Sequence, residues 1–170
     1  MKNAPFLRTD LAAVPGFSDL TAASYVGEIG NDMSHWPTVN HFASWLRLCP
    51  RTDITGGRPK SRRVLPTSSR ATQLLRMAAV NAGKTDTAIG AFYRNISRRK
   101  GKQQAVVATA HKLARITYVM LRDGVPYEDP GVQQWEEQRR SRALRHLHRQ
   151  AHRLGYSLVE AETEVTPDGC

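Results

Sequence analysis

The sequence predicts an all-α fold: a compact helical domain with a helix-hairpin-helix-like element, a basic loop and a long C-terminal helix. Three observations predict it. Apolar residues recur at three- and four-residue spacing in successive segments, the period of an amphipathic helix. Those segments open at Ser, Thr or Asp and close at glycine or proline, as helix ends do. The one long stretch without periodicity, between Pro50 and Pro66, combines glycines and prolines with dense basic charge. With 170 residues, 40% apolar and 24% charged positions, the chain suits one core with appendages rather than two full domains.

Taken in order, residues 1–8 form a tail, and a short helical turn is expected from Thr9 to Ala13. After Val14-Pro15-Gly16-Phe17-Ser18 comes a helix from Asp19 to about Ile29, capped by Ser18 or Asp19 and ended by Gly30, with Leu20, Ala22, Ala23, Val26 and Ile29 as its apolar residues. Thr38 caps a segment in which Phe42, Trp45 and Leu46 share a core face and which stops at Cys49-Pro50, because proline disfavours helix in the residue before it. The segment 50–66 is a loop with a possible extended edge. From Ser69 to Asn81 the stripe is Leu74, Leu75, Met77 and Ala78, with Gly83 as the stop. From Thr87 to Ser97 it is Ile89, Phe92, Tyr93 and Ile96.

From Gln103 to Arg122, Val106, Ala110, Leu113 and Met120 lie on one arc, and His111, Lys112, Arg115 and Arg122 on the other. One side packs and the other meets solvent or phosphate. Asp129-Pro130 reads as cap and first helical residue of a last helix running to Leu154 and ended by Gly155. Its stripe, Leu144, Leu147, Ala151 and Leu154, is narrow enough to dock on the domain or to pair with a second copy. The expected division is therefore 1–8 tail, 9–129 domain, 130–156 amphipathic helix and 157–170 acidic flexible tail.

The charge is unevenly distributed. The formal net charge is +10 and the pI about 10.2. Residues 1–50 carry 3 basic and 4 acidic groups, residues 51–76 carry 7 and 1, and residues 157–170 carry none and 4. Positive charge concentrated in the middle of a chain attracts polyanions, nucleic acid being the commonest. The two cysteines, Cys49 and Cys170, offer no disulfide framework and fit a reducing compartment. The start has no signal-peptide core, and no run approaches the ~20 apolar residues of a membrane span. A soluble cytoplasmic protein without membrane partners is expected.

Two motifs carry chemistry. The turn at Gly16 has the form of a helix-hairpin-helix turn, in which backbone N–H groups at a helix start approach a phosphate without reading bases. A tight interhelical turn accounts for it equally well. The run Ile54-Thr55-Gly56-Gly57-Arg58-Pro59-Lys60-Ser61-Arg62-Arg63 places a hydroxyl beside two glycines and among four basic side chains. Phosphoryl transfer uses such a grouping: a nucleophile, backbone free to approach, and cations to offset charge on the non-bridging oxygens. On residue types alone, passive phosphate contact explains it better. His148 and His152 are one helical turn apart, with His146 nearby, but no Cys or carboxylate cluster joins them, so zinc is not expected. Asp10, Asp19, Glu28 and Asp32 sit at capping and turn positions and do not read as a two-metal nuclease site.

Several stretches taken together resemble the transposases of the "IS one-ten" type, also described as bridge-RNA-guided recombinases, in their C-terminal domain. They are Val14-Pro15-Gly16, Glu28 to Met33, His41-Phe42 with Trp45-Leu46, Leu48-Cys49-Pro50, Ile54 to Gly57, Arg70-Ala71 with Leu75 to Ala79, Gly90 to Tyr93, Ala108 to Arg115, and Tyr118 to Leu121. The likeness covers about residues 9–159. It implies a two-part enzyme whose RuvC-like N-terminal half holds a DEDD metal site, and whose C-terminal half supplies a serine that attacks DNA. This sequence has no counterpart of the acidic half, so Mg2+ is expected there and no cofactor on this chain.

The resemblance places the nucleophile at Thr55, where the family has serine in a Ser-Gly-Gly setting. The added methyl group crowds in-line attack. Ser69 stands where many relatives carry asparagine. By the same resemblance the chain is part of a DNA transposase and recombinase, inactive by itself, with DNA as partner. A guide RNA, a second copy or the N-terminal half are further partners, and the location is nucleoid-associated. The expected nucleic-acid contacts are Gly16, Gly56, Gly57, Arg58, Lys60, Arg62, Arg63, Arg70, Lys112 and Arg115. The rival from another class is a non-catalytic nucleic-acid-binding remnant or regulator derived from a transposase. A structural RNA-binding protein is a third reading, resting on charge alone.

Overall fold

The computed structural model describes residues 10–49 and 69–160, together with the backbone of 53–55 and 58–61. It is an all-α fold with one small β-hairpin. A single 3-10 turn, Leu11–Ala13, is capped by Asp10, whose carboxylate accepts the Ala12 N–H at 2.9 Å. The short helical turn expected over Thr9 to Ala13 is this three-residue turn, and after the bend at Gly16 comes α1, Asp19–Ile29. Ser18 caps α1 by accepting the Thr21 N–H at 3.2 Å. The buried face of α1 is Ala22, Tyr25 and Ile29; Leu20 is 78% exposed and Ala23 also faces out. The core face is therefore rotated from the one expected, because Tyr25 fills the core with its ring while its hydroxyl hydrogen-bonds Thr117 Oγ1 at 3.1 Å.

Gly16 makes the turn before α1 possible. Its φ is +94°, and a Cβ there would lie 2.1 Å from the Ala78 carbonyl oxygen, so the turn presses backbone to backbone on a later helix. α2, Val39–Trp45, starts at the Thr38 cap and ends four residues before the expected stop, with Arg47 at φ +52°. Phe42 and Leu46 are buried. Trp45 is half-exposed rather than core, with its ring 5.0 Å from Trp36 and 6.2 Å from Phe42.

Between α2 and the next helix the loop expected from sequence contains two short antiparallel strands, β1, Asp53–Thr55, and β2, Arg58–Ser61. α3, Arg70–Ala82, buries Ala71, Thr72, Leu75, Ala78, Ala79 and Ala82, while Met77 points to solvent. Four alanines on one face let neighbouring helices approach closely, and the longer Met77 side chain is left outside that contact. α4, Ala88–Lys100, is capped by Thr87 and buries Ile89, Ala91 and Asn95, with Phe92, Tyr93 and Ile96 half-buried. α5, Lys102–Asp123, is the central element and packs against α2, α3 and α4. Its Tyr118 hydroxyl donates to the Trp36 carbonyl at 2.7 Å.

Asp129, expected to cap the helix that follows it, reaches back to an earlier one. Its carboxylate accepts the Ala88 N–H at 3.2 and 3.4 Å and the Tyr127 hydroxyl at 3.1 Å, so it caps α4 across 41 residues. Helix starts leave N–H groups without intrahelical partners, and this carboxylate fills one that Thr87 does not reach. Contacts divide the chain into two units after Val132. All but the first two residues of α6, Gly131–Arg153, lie in the second; the helix has no buried residue, and Leu144, Leu147 and Leu154 are exposed.

Candidate nucleic-acid interface

Cys49 and Ser69 flank the segment that carries the hairpin, and side chains near both tie its ends to the core. The Thr72 hydroxyl, fully buried on α3, donates to the Leu46 carbonyl at the end of α2 at 2.8 Å. The Cys49 thiol lies 3.8 Å from His111 Nε2 on α5. Arg70, the first residue of α3, pairs with Glu28 near the end of α1 at 3.6 Å. Three ties thus hold the base of the segment that carries the hairpin.

Within the hairpin, Thr55 and Arg58 are register partners, Ile54 pairs with Pro59, and an irregularity follows at Asp53, which pairs with Ser61. The candidate nucleophile therefore stands at the end of β1, opposite the first arginine of the basic run, with Lys60 two residues further along β2. Gly56 and Gly57, which separate the strands in sequence, lie outside the described residues, as do Arg62 and Arg63.

The other predicted contacts are distributed over the helices. Arg70 is exposed but engaged with Glu28. The Lys112 ammonium sits 4.7 Å above the Phe92 ring, and Arg115 is exposed one helical turn further along α5. On the same helix, His111 is held below the ordinary imidazole range, first by its half-burial, then by the nearby Arg115 charge. A largely neutral imidazole beside a thiol is consistent with packing at the base of the hairpin. Gly16 is required by its contact with Ala78 whatever else the turn does.

The structure also separates cations with structural work from those without. Arg94 donates to the carbonyls of Gly83 and Thr85 at 3.3 and 2.7 Å, so it fastens the turn between α3 and α4. Arg122 forks onto Asp123 at 2.6 and 2.8 Å and lies over the Tyr118 ring. By contrast Arg98, Arg99, Lys100 and Lys102, at the junction of α4 and α5, are exposed and make no ion pair with the described residues. This basic turn is plain in the sequence, but nothing there marks it as a contact. The sequence gives no sign of Arg76 either, half-buried on α3, whose Nε is buried with no hydrogen-bond partner among the described residues. Helical periodicity puts Arg76 one turn after Thr72, but burial of its Nε depends on neighbours remote in sequence. Among the described residues no three His, Cys, Asp or Glu side chains are grouped to hold a metal ion. No helix of the described residues is long and apolar enough to cross a membrane.

Comparison with known proteins adds a family to this geometry. A protein-family model described as Transposase IS116/IS110/IS902 family matches residues 8–94. The chain is similar to an insertion element IS110 uncharacterized 43.6 kDa protein of Streptomyces coelicolor, 33% identical over 123 residues, which cover 69% of this chain and 29% of that protein. It is also similar to a probable family 20 transposase of Pseudomonas aeruginosa, 30% identical over 120 residues, covering 65% of this chain and 34% of that protein. The chain thus spans about a third of the length of these relatives. The family match takes in α1, α2, the hairpin, α3 and part of α4, and stops before α5.

Proposed function

The chain belongs to the IS116/IS110/IS902 family of transposases, and from that premise we propose that it serves DNA transposition as the DNA-binding, nucleophile-bearing part of such an enzyme. The observation that supports this reading is the hairpin: Thr55 in register with Arg58, inside the family match, on a segment whose ends are fastened to the core at Leu46, Cys49, Arg70 and Thr72. A hydroxyl that attacks a phosphodiester has to be carried on a rooted scaffold, because in-line geometry tolerates little displacement.

In the proposed step the Thr55 oxygen forms a bond to phosphorus and loses its proton, while one bridging P–O bond breaks and its oxygen is protonated. Arg58, Lys60, Arg62 and Arg63 offset charge on the non-bridging oxygens. Gly56, Gly57 and the turn at Gly16 offer backbone N–H groups, and Arg70, Lys112 and Arg115 hold flanking phosphates. The described residues form no ligand group for a catalytic Mg2+, which in this reading would be held by the acidic half. That same observation favours a second reading for the chain acting alone: a non-catalytic nucleic-acid-binding regulator.

One assay separates the two. End-labelled DNA is incubated with the chain and resolved on a denaturing gel, for Thr55, Thr55→Ser and Thr55→Ala, with and without an acidic family half and its guide RNA supplied in trans. The isolated chain gives no covalent adduct with any divalent metal. With the acidic half, Thr55→Ser raises the yield, because a primary hydroxyl is less hindered, and Thr55→Ala abolishes it. Equal adduct from the alanine variant would remove Thr55 as nucleophile and turn attention to Ser61 or Ser68. No adduct from any variant, with DNA binding intact, would favour the regulator.

A further inference from the structure

α6 lies outside the region the family model matches, and its side chains are sorted by charge. At 100° per residue, Arg142, Arg145, Arg149 and Arg153 fall within an arc of about 80°, and Leu144, Leu147 and Ala151 fall within about 60° centred near the opposite side. The two carboxylates of the helix, Glu136 and Glu137, are both off the arginine arc. All four arginines are exposed, and none makes an ion pair with the described residues; Arg142 donates to the Gln138 side chain at 3.4 Å. At the C-terminal end the chain folds back, with the Tyr156 N–H donating to the Ala151 carbonyl at 2.9 Å, and Arg149 and Arg153 line a cleft with His152, Tyr156 and Ser157.

We infer that the arginine face of α6 is a second nucleic-acid contact, which binds the phosphates of a duplex. Four like charges in a row on a helix cost stability unless an anion faces them. The basic residues of α6 are all arginine or histidine, with no lysine, and the planar guanidinium fork matches phosphate oxygens in pairs. From Arg142 to Arg153 the row runs about 16 Å at 1.5 Å per residue, enough to reach phosphates on both sides of a major groove about 12 Å wide. A lipid surface fits less well. A helix lying on a membrane carries its aromatic residues on the apolar side, whereas Trp135, the one aromatic residue of α6, falls on the arginine arc and has the Arg139 guanidinium 5.7 Å from its ring centre. This contact is independent of the hairpin and stands or falls apart from the nucleophile reading.

The test uses the full chain and measures affinity by fluorescence anisotropy across a range of salt, for a mixed-sequence DNA duplex and for an RNA hairpin. Replacing Arg142, Arg145, Arg149 and Arg153 together by Gln keeps helix propensity, which circular dichroism checks. The slope of log affinity against log salt should fall by about 3 to 4 on at least one of the two nucleic acids, at about 0.9 for each phosphate no longer neutralised. Which nucleic acid responds identifies the source of the phosphates. Arg140→Gln, on the same helix but on the leucine side, should change the slope by no more than a fraction of that. Replacing Arg58, Lys60, Arg62 and Arg63 in parallel tests the hairpin separately. An unchanged slope on both nucleic acids would overturn the inference, as would an equal effect from Arg140→Gln. So would an effect confined to binding of phosphatidylserine vesicles.

Discussion

The hydroxyl of Thr72 donates to the carbonyl of Leu46 at 2.8 Å inside the protein, joining the end of α2 to the start of α3 across the residues that carry the hairpin. Valine has nearly the same shape as threonine but no donor. Thr72→Val should therefore leave a buried carbonyl without that hydrogen bond and cost about 1–3 kcal/mol. Denaturant unfolding at neutral pH measures it, and proteolysis within 50–68 should quicken. A stability equal to the wild type would show that this bond does not secure the hairpin.

Two glycines make a matched pair. Gly16→Ala places a Cβ 2.1 Å from the Ala78 oxygen at a φ of +94°, so strain and steric overlap combine to cost upwards of about 2 kcal/mol. Gly27, inside α1 and with nothing within 4 Å of its Cβ position, should give the opposite sign, with Gly27→Ala gaining about 0.5–1 kcal/mol. Melting curves of both variants decide it, and a Gly16→Ala protein as stable as the wild type would contradict the packing of that turn on α3.

His111 gives a pH prediction with a definite sign. Burial depresses its folded-state pKa below the ordinary value of about 6.5, so between the two values the unfolded chain binds more protons than the folded one. Its contribution to stability is complete above about pH 6.5 and is lost as the pH falls through that interval. His111→Gln should flatten the acid limb of a plot of melting temperature against pH. Parallel curves for the two proteins would mean that His111 ionises freely in the fold.

The hairpin should dominate the first unit's affinity for DNA without giving it sequence preference, since its clustered basic residues suit phosphates. Replacing Arg58, Lys60, Arg62 and Arg63 by alanine should lower the salt slope by about 0.9 for each phosphate released, and by similar amounts on unrelated duplexes. An affinity indifferent to salt in the unmodified chain would contradict the reading.

Local signals were well expressed in this sequence. Ser18 and Thr38 each cap the helix assigned to them, and Thr87, read as a helix start, is the cap of its helix, because a cap is decided within three residues. Contacts at long range were not. Nothing near Cys49 announces His111, and nothing near Tyr25 announces Thr117, since those pairs are made by helix packing. Asp129 looks like the start of its own neighbour and instead reaches back to Ala88. Periodicity misplaces Leu20 and Met77 for a related reason: it groups residues by face, but close approach at the small residues of α1 and α3 decides which face turns inward. The hairpin was legible only as an aperiodic basic loop, because strands of three and four residues are too short to establish an alternation. Family likeness points to Thr55, and the basic run includes Arg58, while their cross-strand pairing needs the structure.

The position of α5 late in the sequence also matters while the protein is being synthesised. The Tyr25 hydroxyl is partnered by Thr117 and the Phe42 ring by Tyr118, both on α5 and more than 70 residues after Phe42, and α2 and α3 pack on the same helix. At roughly 5–20 residues per second, the earlier helices wait several seconds on the ribosome before that partner emerges. During this interval their apolar faces are open to wrong partners, including one another on neighbouring chains. A translational pause after α5 would let the domain close, whereas one between α3 and α4 would prolong the exposure and favour aggregation.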